Sequence, residues 1–400
     1  MTDLLWPGDH RAGLIFSDAA YLAAMLRVES AWLDVLVESG IAPQPARADL
    51  TALVSAADLE AVAVAAEATG NPVPGLLELL RTRTGGEPAR WLHRGLTSQD
   101  VVDTALMLCL HQALDRIRDE ISAQVSRLAA LVETYRDSPM LARTLTQPAL
   151  PTTIGLRFAH WLTGLLDGAD CVATLPRLSV QAGGAAGTMA AASELAGAPG
   201  EAMNLSGRLA AALGLADGPP WHTTRSVITR AGDALVTCCD AWSHIANDVA
   251  ASSRAEIGEL AEGRGGGSST MPHKNNPVLS VLIRRAGLLV PPLAAGLHAA
   301  SAGSIDERSD GGWHAEWATL RTLSRYAVTA AAQTTDLLAG LVVDSDRAAA
   351  NLAAAGDLLG EQRAMTELTG HTARGDYTGA AGHLIDAVLQ RAKHHLMEAT

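Results

Sequence analysis

The chain has 400 residues and a formal net charge of −13, so no global positive charge attracts it to nucleic acid or to an anionic membrane. Hydrophobic residues make up 48% of the sequence and aromatic residues 4%, a composition that favours closely packed helices. An anionic ligand must therefore be bound by local arginine and lysine side chains.

The apolar spacing predicts helices in chain order. They cover residues 18–40, about 48–68 and 73–83, about 99–137, a segment after Pro151 that ends near Asp170, 276–303 and 313–341. We expect a kink at Pro291-Pro292. No segment shows sustained alternation of apolar and polar residues, so a large sheet is not expected.

The segment from 228 to 249 has the strictest periodicity. Its apolar residues alternate spacings of three and four, typical of the narrow seam of a helical bundle; they are Ile228, Ala231, Leu235, Cys238, Trp242, Ile245 and Val249. We expect helices of other copies to cover part of such stripes, which predicts self-association. The predicted fold is all-α and three-lobed, with an N-terminal helical domain (1–104), a central long-helix bundle (105–344) and a short C-terminal helical domain (345–400).

Targeting and cysteine patterns point to a soluble cytoplasmic protein. The start, Met1-Thr2-Asp3, has no signal-peptide pattern, and the best apolar run is interrupted by Arg284-Arg285 and by prolines. The four cysteines lack metal-ligand spacing, and Cys238 and Cys239 are expected to be buried thiols. Sequence patterns of P-loops, dinucleotide-binding loops, zinc proteases and α/β-hydrolases are absent.

The first polar segment runs from His93 to Thr104 and includes Arg94, Thr97 and Ser98. It contains the start of the long helix predicted from about residue 99, and a helix N-terminus with hydroxyl side chains suits a carboxylate. An ordinary capped helix is the alternative.

Two further segments carry candidate ligand-binding groups. Arg143 could clamp a carboxylate that Thr146 and Gln147 orient, although a polar turn between helices explains the same residues. His222 and Arg225 stand just before the seam helix, where a capping or packing role is the alternative for His222.

The fourth segment, residues 263–277, is a glycine-rich loop with an ordered polar tail. Ser268, Ser269, His273, Lys274 and Asn276 place hydroxyl, imidazole, ammonium and amide groups close together. Glycines permit backbone shapes and motions that other residues resist. A plain Gly/Ser linker is the alternative, but it does not need the tail Met-Pro-His-Lys-Asn-Asn-Pro.

These four segments, in this order, resemble the signature regions of the fumarase/aspartase superfamily, over about residues 13–365. The likeness is greatest to the members that cycloisomerise 3-carboxy-cis,cis-muconate in aromatic degradation by the protocatechuate (β-ketoadipate) pathway. The residues that support it include Ala142-Arg143-Thr144, Leu150-Pro151-Thr152-Thr153 and Trp313-His314-Ala315-Glu316-Trp317.

The resemblance implies a homotetramer whose active sites are shared between subunits, a small anionic polycarboxylate substrate, and no metal or organic cofactor. It also implies a carbanion delocalised into a carboxylate, which needs proton transfer at carbon and cations around the developing charge. In the cycloisomerase the substrate's own carboxylate would add to a double bond and give a γ-lactone. By resemblance the catalytic residues are Ser268 for proton transfer, Lys274 and His93; the substrate-binding residues are Arg94, Thr97, Ser98, Arg143, Thr146, Gln147, His222, Arg225, Ser269, Met271, Asn276 and Arg308.

The sequence departs from the family pattern at two positions and in its short C-terminal lobe. Pro148 stands where many superfamily lyases have a histidine that assists proton transfer to the leaving group, and Ser226 stands where Asp is common. A carboxylate leaving group tolerates the loss of the histidine. Two alternatives remain open: a lyase that releases fumarate from a substituted succinate of the adenylosuccinate or nitrosuccinate type, and a non-catalytic homologue.

Overall fold

The computed structural model describes residues 3–263, 265–267, 270–271, 274–373 and 375–398. Backbone contacts group them into two compact units, each made of three stretches of chain. Unit 1 comprises the described residues of Met1–Asp115, Leu175–Asp233 and Pro292–Arg325; unit 2 comprises those of Arg116–Thr174, Ala234–Pro291 and Tyr326–Thr400. The predicted domain boundaries near 104 and 344 stay a prediction.

Helices form most of the described chain, which confirms the predicted all-α class. They are α1 (Asp18–Glu38), α2 (Leu59–Thr69), α3 (Val73–Thr84), α4 (Gly86–Trp91), α5 (Ser98–Thr134), α6 (Ile154–Ala173), α7 (Ala190–Ala196), α8 (Pro199–Leu213), α9 (Ser226–Ser252), α10 (Val278–Ala302), α11 (Gly312–Ala339), α12 (Ser345–Ala354), α13 (Gly360–Thr369) and α14 (Ala381–Glu398). Three short 3-10 helices cover Asp9–Ala12, Gln44–Ala46 and Ala56–Asp58.

Strands are few and short in the described residues. They are β1 (Pro139–Thr144), β2 (Gln147–Thr153), β3 (Leu260–Glu262), β4 (Gly266–Gly267), β5 (Asn275–Asn276) and β6 (Leu341–Val343). They pair antiparallel as β1 with β2, β3 with β6 and β4 with β5. The β1–β2 hairpin replaces the polar turn that was the alternative for residues 143–153.

Unit 1 is held together by apolar packing and by buried ion pairs. Arg325 of α11 binds Asp9 at 2.7 Å, which fixes the first 3-10 helix to this unit. On α9, a Cβ atom at Gly232 would lie 2.9 Å from a Leu297 methyl group, so α9 and α10 approach closely there. α1 begins after Ser17, whose hydroxyl accepts the Ala20 N–H and satisfies one free donor of the first turn.

Unit 2 contains the remaining parts of the four long helices, α5, α9, α10 and α11, packed around buried polar contacts. Trp242 of α9 donates its Nε1–H to Gln124 of α5 at 2.8 Å, and Gln124 donates to the Ala331 carbonyl of α11 at 2.9 Å. Gly287 lets α10 pack against Ser243 of α9, since a Cβ at 287 would overlap that hydroxyl. These contacts satisfy polar groups that burial would otherwise penalise.

The seam of α9 is buried within its own chain, which corrects the argument for self-association. All seven seam residues are at most 1% exposed. In unit 2, for example, Cys238 packs against Gly168 of α6. The stripe therefore has no uncovered surface for a second copy, and the predicted homotetramer stays a prediction that must rest on another surface.

Helix α10 is the one described helix that length and composition would allow to cross a membrane. Only 28% of its most apolar window is buried, and Val281, Leu288 and Leu289 are exposed. Core helices of soluble proteins meet the same criteria of length and composition, so α10 alone is weak evidence for a membrane span. The helix continues through Pro291 and Pro292, and the predicted kink stays a prediction.

Candidate functional site

The first turn of α5 in unit 1 carries a buried carboxylate, Asp100, which is 0% exposed. Oδ2 accepts the N–H groups of Thr97 and Gly184, at 2.9 and 3.0 Å. Oδ1 accepts the Gly183 N–H at 2.8 Å and the Gln181 amide at 3.3 Å. Burial raises the pKa of Asp100 to about 7, and the four hydrogen bonds act in the opposite direction.

His222 lies beside this carboxylate and is 7% exposed. Its Nδ1 is 3.1 Å from Nε2 of Gln181. Its Nε2 makes no hydrogen bond to the described part of the chain. Burial lowers the pKa of His222, and the Arg308 charge acts in the same direction, whereas the Asp103 carboxylate and the Ala185 backbone oppose the shift. The ring is therefore held in its neutral form.

The exposed Arg308 and the half-buried Thr97 form the cationic part of this site. Nη2 of Arg308 donates to Oγ1 of Thr97 at 2.7 Å, and the guanidinium carbon lies 6.0 Å from the Trp313 ring centroid. Arg94 is exposed and donates to the Arg90 carbonyl, while Ser98 is half-buried. Thr97, His222 and Arg308 are thus brought together around a helix N-terminus, an arrangement suited to an anion.

His93 is fixed by a carboxylate that the sequence analysis missed. Its Nδ1 is 2.7 Å from Oε1 of Glu29, which is fully buried on α1. His93 adopts a φ of 67°, a left-handed conformation that is uncommon outside glycine. Strain of this kind persists where surrounding contacts hold the residue in place. The pair engages Nδ1 of His93, and Nε2 lies outside the contact with Glu29.

The prediction that Arg225 binds substrate needs correction. Its side chain is 1% exposed and lies between Asp103 and Glu316, at 2.7 and 2.6 Å. Trp221 stacks on the guanidinium at 4.6 Å. These carboxylates and the carbonyl of His222 accept the donors of Arg225, so it stabilises the interior of unit 1 and offers no group to a ligand.

Arg143 of unit 2 does clamp a carboxylate, but that of Glu259 in its own chain. The two groups form a bidentate pair at 3.0 and 2.8 Å, and Glu259 also accepts from Asn351. Glu259 is fully buried and Arg143 is 21% exposed. The geometry explains why an arginine is needed here, and a substrate contact of Arg143 stays a prediction.

The tip of the β1–β2 hairpin is exposed and strained. Leu145 and Thr146 have φ values of 49° and 69°, although neither is a glycine. Gln147 follows, and its amide lies 3.4 Å from the Thr146 hydroxyl. Pro148 pairs with Arg143 in the hairpin and is also exposed. The tip therefore presents a hydroxyl and an amide to solvent, with no ionisable side chain at 148.

The glycine-rich loop is described in part. Ser268, Ser269 and His273 lie outside the described residues. Lys274 and Met271 are exposed, and Asn276 is half-buried where β5 pairs with β4. Since Lys274 is exposed, its ammonium group is available to a ligand.

The base of this loop is firmly anchored. Both oxygens of Glu262 accept from the first turn of α10, at Leu279 N and at Ser280 N and Oγ. Next to it, a Cβ at Gly263 would lie 2.3 Å from the Gly340 carbonyl oxygen, so only glycine fits. The polar tail thus extends from a rigid foundation.

A family model described as lyase matches residues 35–290. The chain belongs to this lyase family, within the fumarase/aspartase superfamily.

Three relatives illustrate the likeness of this lyase to known proteins. Nitrosuccinate lyase from Streptomyces davaonensis is 42% identical over 369 residues, 88% of this chain and 77% of the relative. 3-carboxy-cis,cis-muconate cycloisomerase from Bradyrhizobium diazoefficiens is 36% identical over 395 residues, 95% of this chain and 85% of the relative. The crystal structure of 3-carboxy-cis,cis-muconate lactonizing enzyme from Pseudomonas putida superposes with a TM-score of 0.84 at 28% identity, covering 95% and 96% of the two chains.

The local sequence does not identify several polar residues that the structure places in and around the site. Gln181, Glu29 and Glu259 meet their partners only through long-range folding. One signal was present: Gly183 and Gly184 follow Gln181 after a single alanine, and paired glycines often mark a close backbone approach.

Proposed function

We propose that this lyase catalyses an elimination, or the reverse addition, at a carbon β to a carboxylate, in which the exchanged group is a weakly basic anion. The observation that carries the proposal is Pro148, exposed on β2. By resemblance, many superfamily lyases have a histidine there that protonates the leaving group. An amine must be protonated as it departs, whereas a stable anion needs no general acid.

A nitrosuccinate is the first candidate substrate. A base removes a proton from the carbon next to one carboxylate, the electron pair forms the double bond, and the C–N bond breaks with its electrons leaving on nitrite. The products are fumarate, nitrite and a proton. The 42% identity to a nitrosuccinate lyase supports this candidate.

The second candidate is cycloisomerisation of 3-carboxy-cis,cis-muconate to a carboxymuconolactone. A substrate carboxylate oxygen adds to the double bond, and the adjacent carbon takes up a proton. Two likenesses support it: the Bradyrhizobium diazoefficiens cycloisomerase aligns with 95% of the chain, and the Pseudomonas putida structure superposes with a TM-score of 0.84. The exchanged group is again a weakly basic anion.

We assign roles to the site residues by combining resemblance with geometry. Ser268 transfers the proton at carbon, and Lys274 and Asn276 bind the developing charge. Thr97, Ser98 and Arg308 bind substrate carboxylates at the N-terminus of α5, where free N–H groups favour anions. The proposed enzyme is a cytoplasmic homotetramer whose sites use residues of more than one copy.

The experiment compares the wild type with Pro148→His on four substrates: nitrosuccinate, carboxymuconate, adenylosuccinate and argininosuccinate. Nitrite release and the absorbance changes of the unsaturated acids are the readouts, with Ser268→Ala as the inactive control. We expect wild-type turnover of nitrosuccinate or carboxymuconate and none of the two amine-releasing substrates. Efficient wild-type cleavage of adenylosuccinate or argininosuccinate would overturn the proposal, and inactivity on all four would favour a non-catalytic homologue.

A further inference from the structure

The amide of Gln181 has an orientation that its neighbours determine. Its Oε1 accepts the backbone N–H of Trp221 at 2.8 Å, a group that can only donate. Its Nε2 therefore points the other way, to Oδ1 of Asp100 at 3.3 Å and Nδ1 of His222 at 3.1 Å. Gln181 is 0% exposed, so no solvent competes for these contacts.

The surrounding groups leave no freedom to reverse this arrangement. Both oxygens of Asp100 already accept backbone N–H groups, at Gly183 and Gly184 among others, so a donor must face them from Gln181 as well. The backbone of Gln181 is also held, because its N–H donates to Oγ1 of Thr104 at 2.9 Å. Rotation of the amide would break contacts on two sides.

The tautomer of His222 follows from this geometry. Since Nε2 of Gln181 donates, Nδ1 of His222 must accept, and in a neutral imidazole the proton then resides on Nε2. No group in the described part of the chain accepts from Nε2 of His222 with normal hydrogen-bond geometry, although the Ala185 backbone acts on the ring. A buried donor without a well-aligned acceptor is unfavourable, so the free protein holds a group prepared for one.

The position of the ring indicates what that acceptor is. Gly187 lies beside the ring with a φ of 74°, and the two residues before it, Ala185 and Ala186, are exposed. Arg308 is near enough for its charge to act on His222, and it binds Thr97 directly. The acceptor in such surroundings is an anionic oxygen.

We propose that Gln181 is a positioning residue that holds His222 in the Nε2–H tautomer, so that His222 offers a neutral donor to a substrate carboxylate and takes no part in proton transfer. The proposal rests on the proposed function for the identity of the substrate. The tautomer itself is a property of the free protein. The proposed tautomer and the proposed function can therefore be disproved separately.

The first test measures the tautomer without substrate. Magic-angle-spinning NMR of protein labelled with [¹⁵N]histidine, at pH 8, should show His222 with a protonated Nε2 and an unprotonated Nδ1. The signal is assigned by its absence in His222→Gln. In Gln181→Glu the carboxylate accepts, so the proton should move to Nδ1. The matched control is Gln99→Met, because Gln99 contacts the His222 carbonyl and not the ring. In this variant the tautomer of His222 should not change. Once the signal is assigned, a protonated Nδ1 of His222 in the wild type overturns the proposal, whatever Gln181→Glu and Gln99→Met show.

The second test uses whichever substrate is turned over. His222→Gln can place an amide N–H near the position of Nε2 but cannot transfer a proton at neutral pH, whereas His222→Asn places its amide near Nδ1. We expect His222→Gln to keep kcat/KM within about tenfold of the wild type and His222→Asn to lose about 10² to 10³, as for removal of one donor to a reacting oxygen. Equal, large losses in both variants would show that His222 transfers a proton and overturn the proposal. If no substrate is turned over, the proposed function fails while the tautomer measurement still decides the role of Gln181.

Discussion

Glu29 and His93 form a hydrogen bond of 2.7 Å across 64 positions of the sequence. Glu29 is fully buried, and its Oε2 has no hydrogen-bond partner among the described residues. Its contact with His93 orients the ring and supplies a negative charge. The pair has the geometry of a carboxylate that stabilises a histidine while it carries a proton.

Replacing Glu29 by Gln should therefore separate orientation from charge. The amide can still accept from Nδ1, so the fold and KM should change little. The negative charge is lost, so kcat should fall by about 10² if His93 exchanges a proton, within the usual range for acid–base catalysis. Steady-state kinetics with thermal unfolding as a control check this. An unchanged kcat would reduce His93 to a binding role.

Ser268→Ala should abolish turnover and leave folding intact. The loop is glycine-rich, and its proposed task is proton transfer.

Lys274→Ala should lower kcat and raise KM, since it removes an exposed cation near the developing charge. Turnover and circular dichroism should be measured on the same preparations. Near-normal turnover by Ser268→Ala would assign the proton transfer to another residue.

Mixing two inactive variants tests the shared site. If sites combine residues of different copies, hybrids of Ser268→Ala with His93→Ala should regain part of the wild-type activity after subunits exchange. Light scattering should report a tetramer for each parent. An active monomer, or hybrids without any activity, would contradict the proposed assembly.

Arg225→Met should destabilise the protein strongly. It leaves Asp103 and Glu316 facing each other at buried positions, and breaking a buried ion pair typically costs about 3–5 kcal/mol. Denaturant titration measures the loss. Arg363→Met is the matched control, because Arg363 pairs with Asp357 at the surface, where ion pairs contribute little. A small effect at Arg225 would mean that the triad relaxes or admits water.

Asp100 should make stability depend on pH between about 4 and 7. Its folded pKa of about 7 lies above the usual value for an aspartate, so the folded state binds more protons in this window. Relative to an asparagine, Asp100 therefore stabilises the folded state most when the pH is below the pKa that Asp100 has in the unfolded chain. This stabilisation is lost as the pH rises through about 7. The free energy of unfolding of the wild type minus that of Asp100→Asn should increase from pH 8 to pH 5. A difference independent of pH would refute the raised pKa.

Local patterns predicted the long helices and missed the hairpin, and the helix predicted for about 48–68 begins only at Leu59. Residues 18–40 and 99–137 closely match α1 and α5, because apolar spacing and start signals lie within the segment itself. The β1–β2 hairpin has Leu and Thr in its turn instead of the glycine or asparagine that such turns favour. Its sequence therefore gave no turn signal.

The sequence indicated which segments carry the polar residues of the site, but not which side chains contact each other. Thr97 and Arg308 were identified, and the structure brings them together at 2.7 Å. Arg225 was misassigned because its sequence does not reveal that two carboxylates 122 and 91 positions away enclose it. Partners at such separations are set by the fold, and one sequence contains no local trace of them.

The enclosure of Arg225 by Asp103 and Glu316 also constrains how the sequence can drift. Neutralising Arg225 alone strands two carboxylates in the interior, and neutralising either carboxylate leaves buried donors of Arg225 unpaired. A concerted exchange of all three for apolar residues of similar volume would do neither. Mutational scans that change one position at a time should therefore find that these three positions do not tolerate substitution. Libraries that vary the three together should recover folded proteins, and the positions should change as a group among homologues.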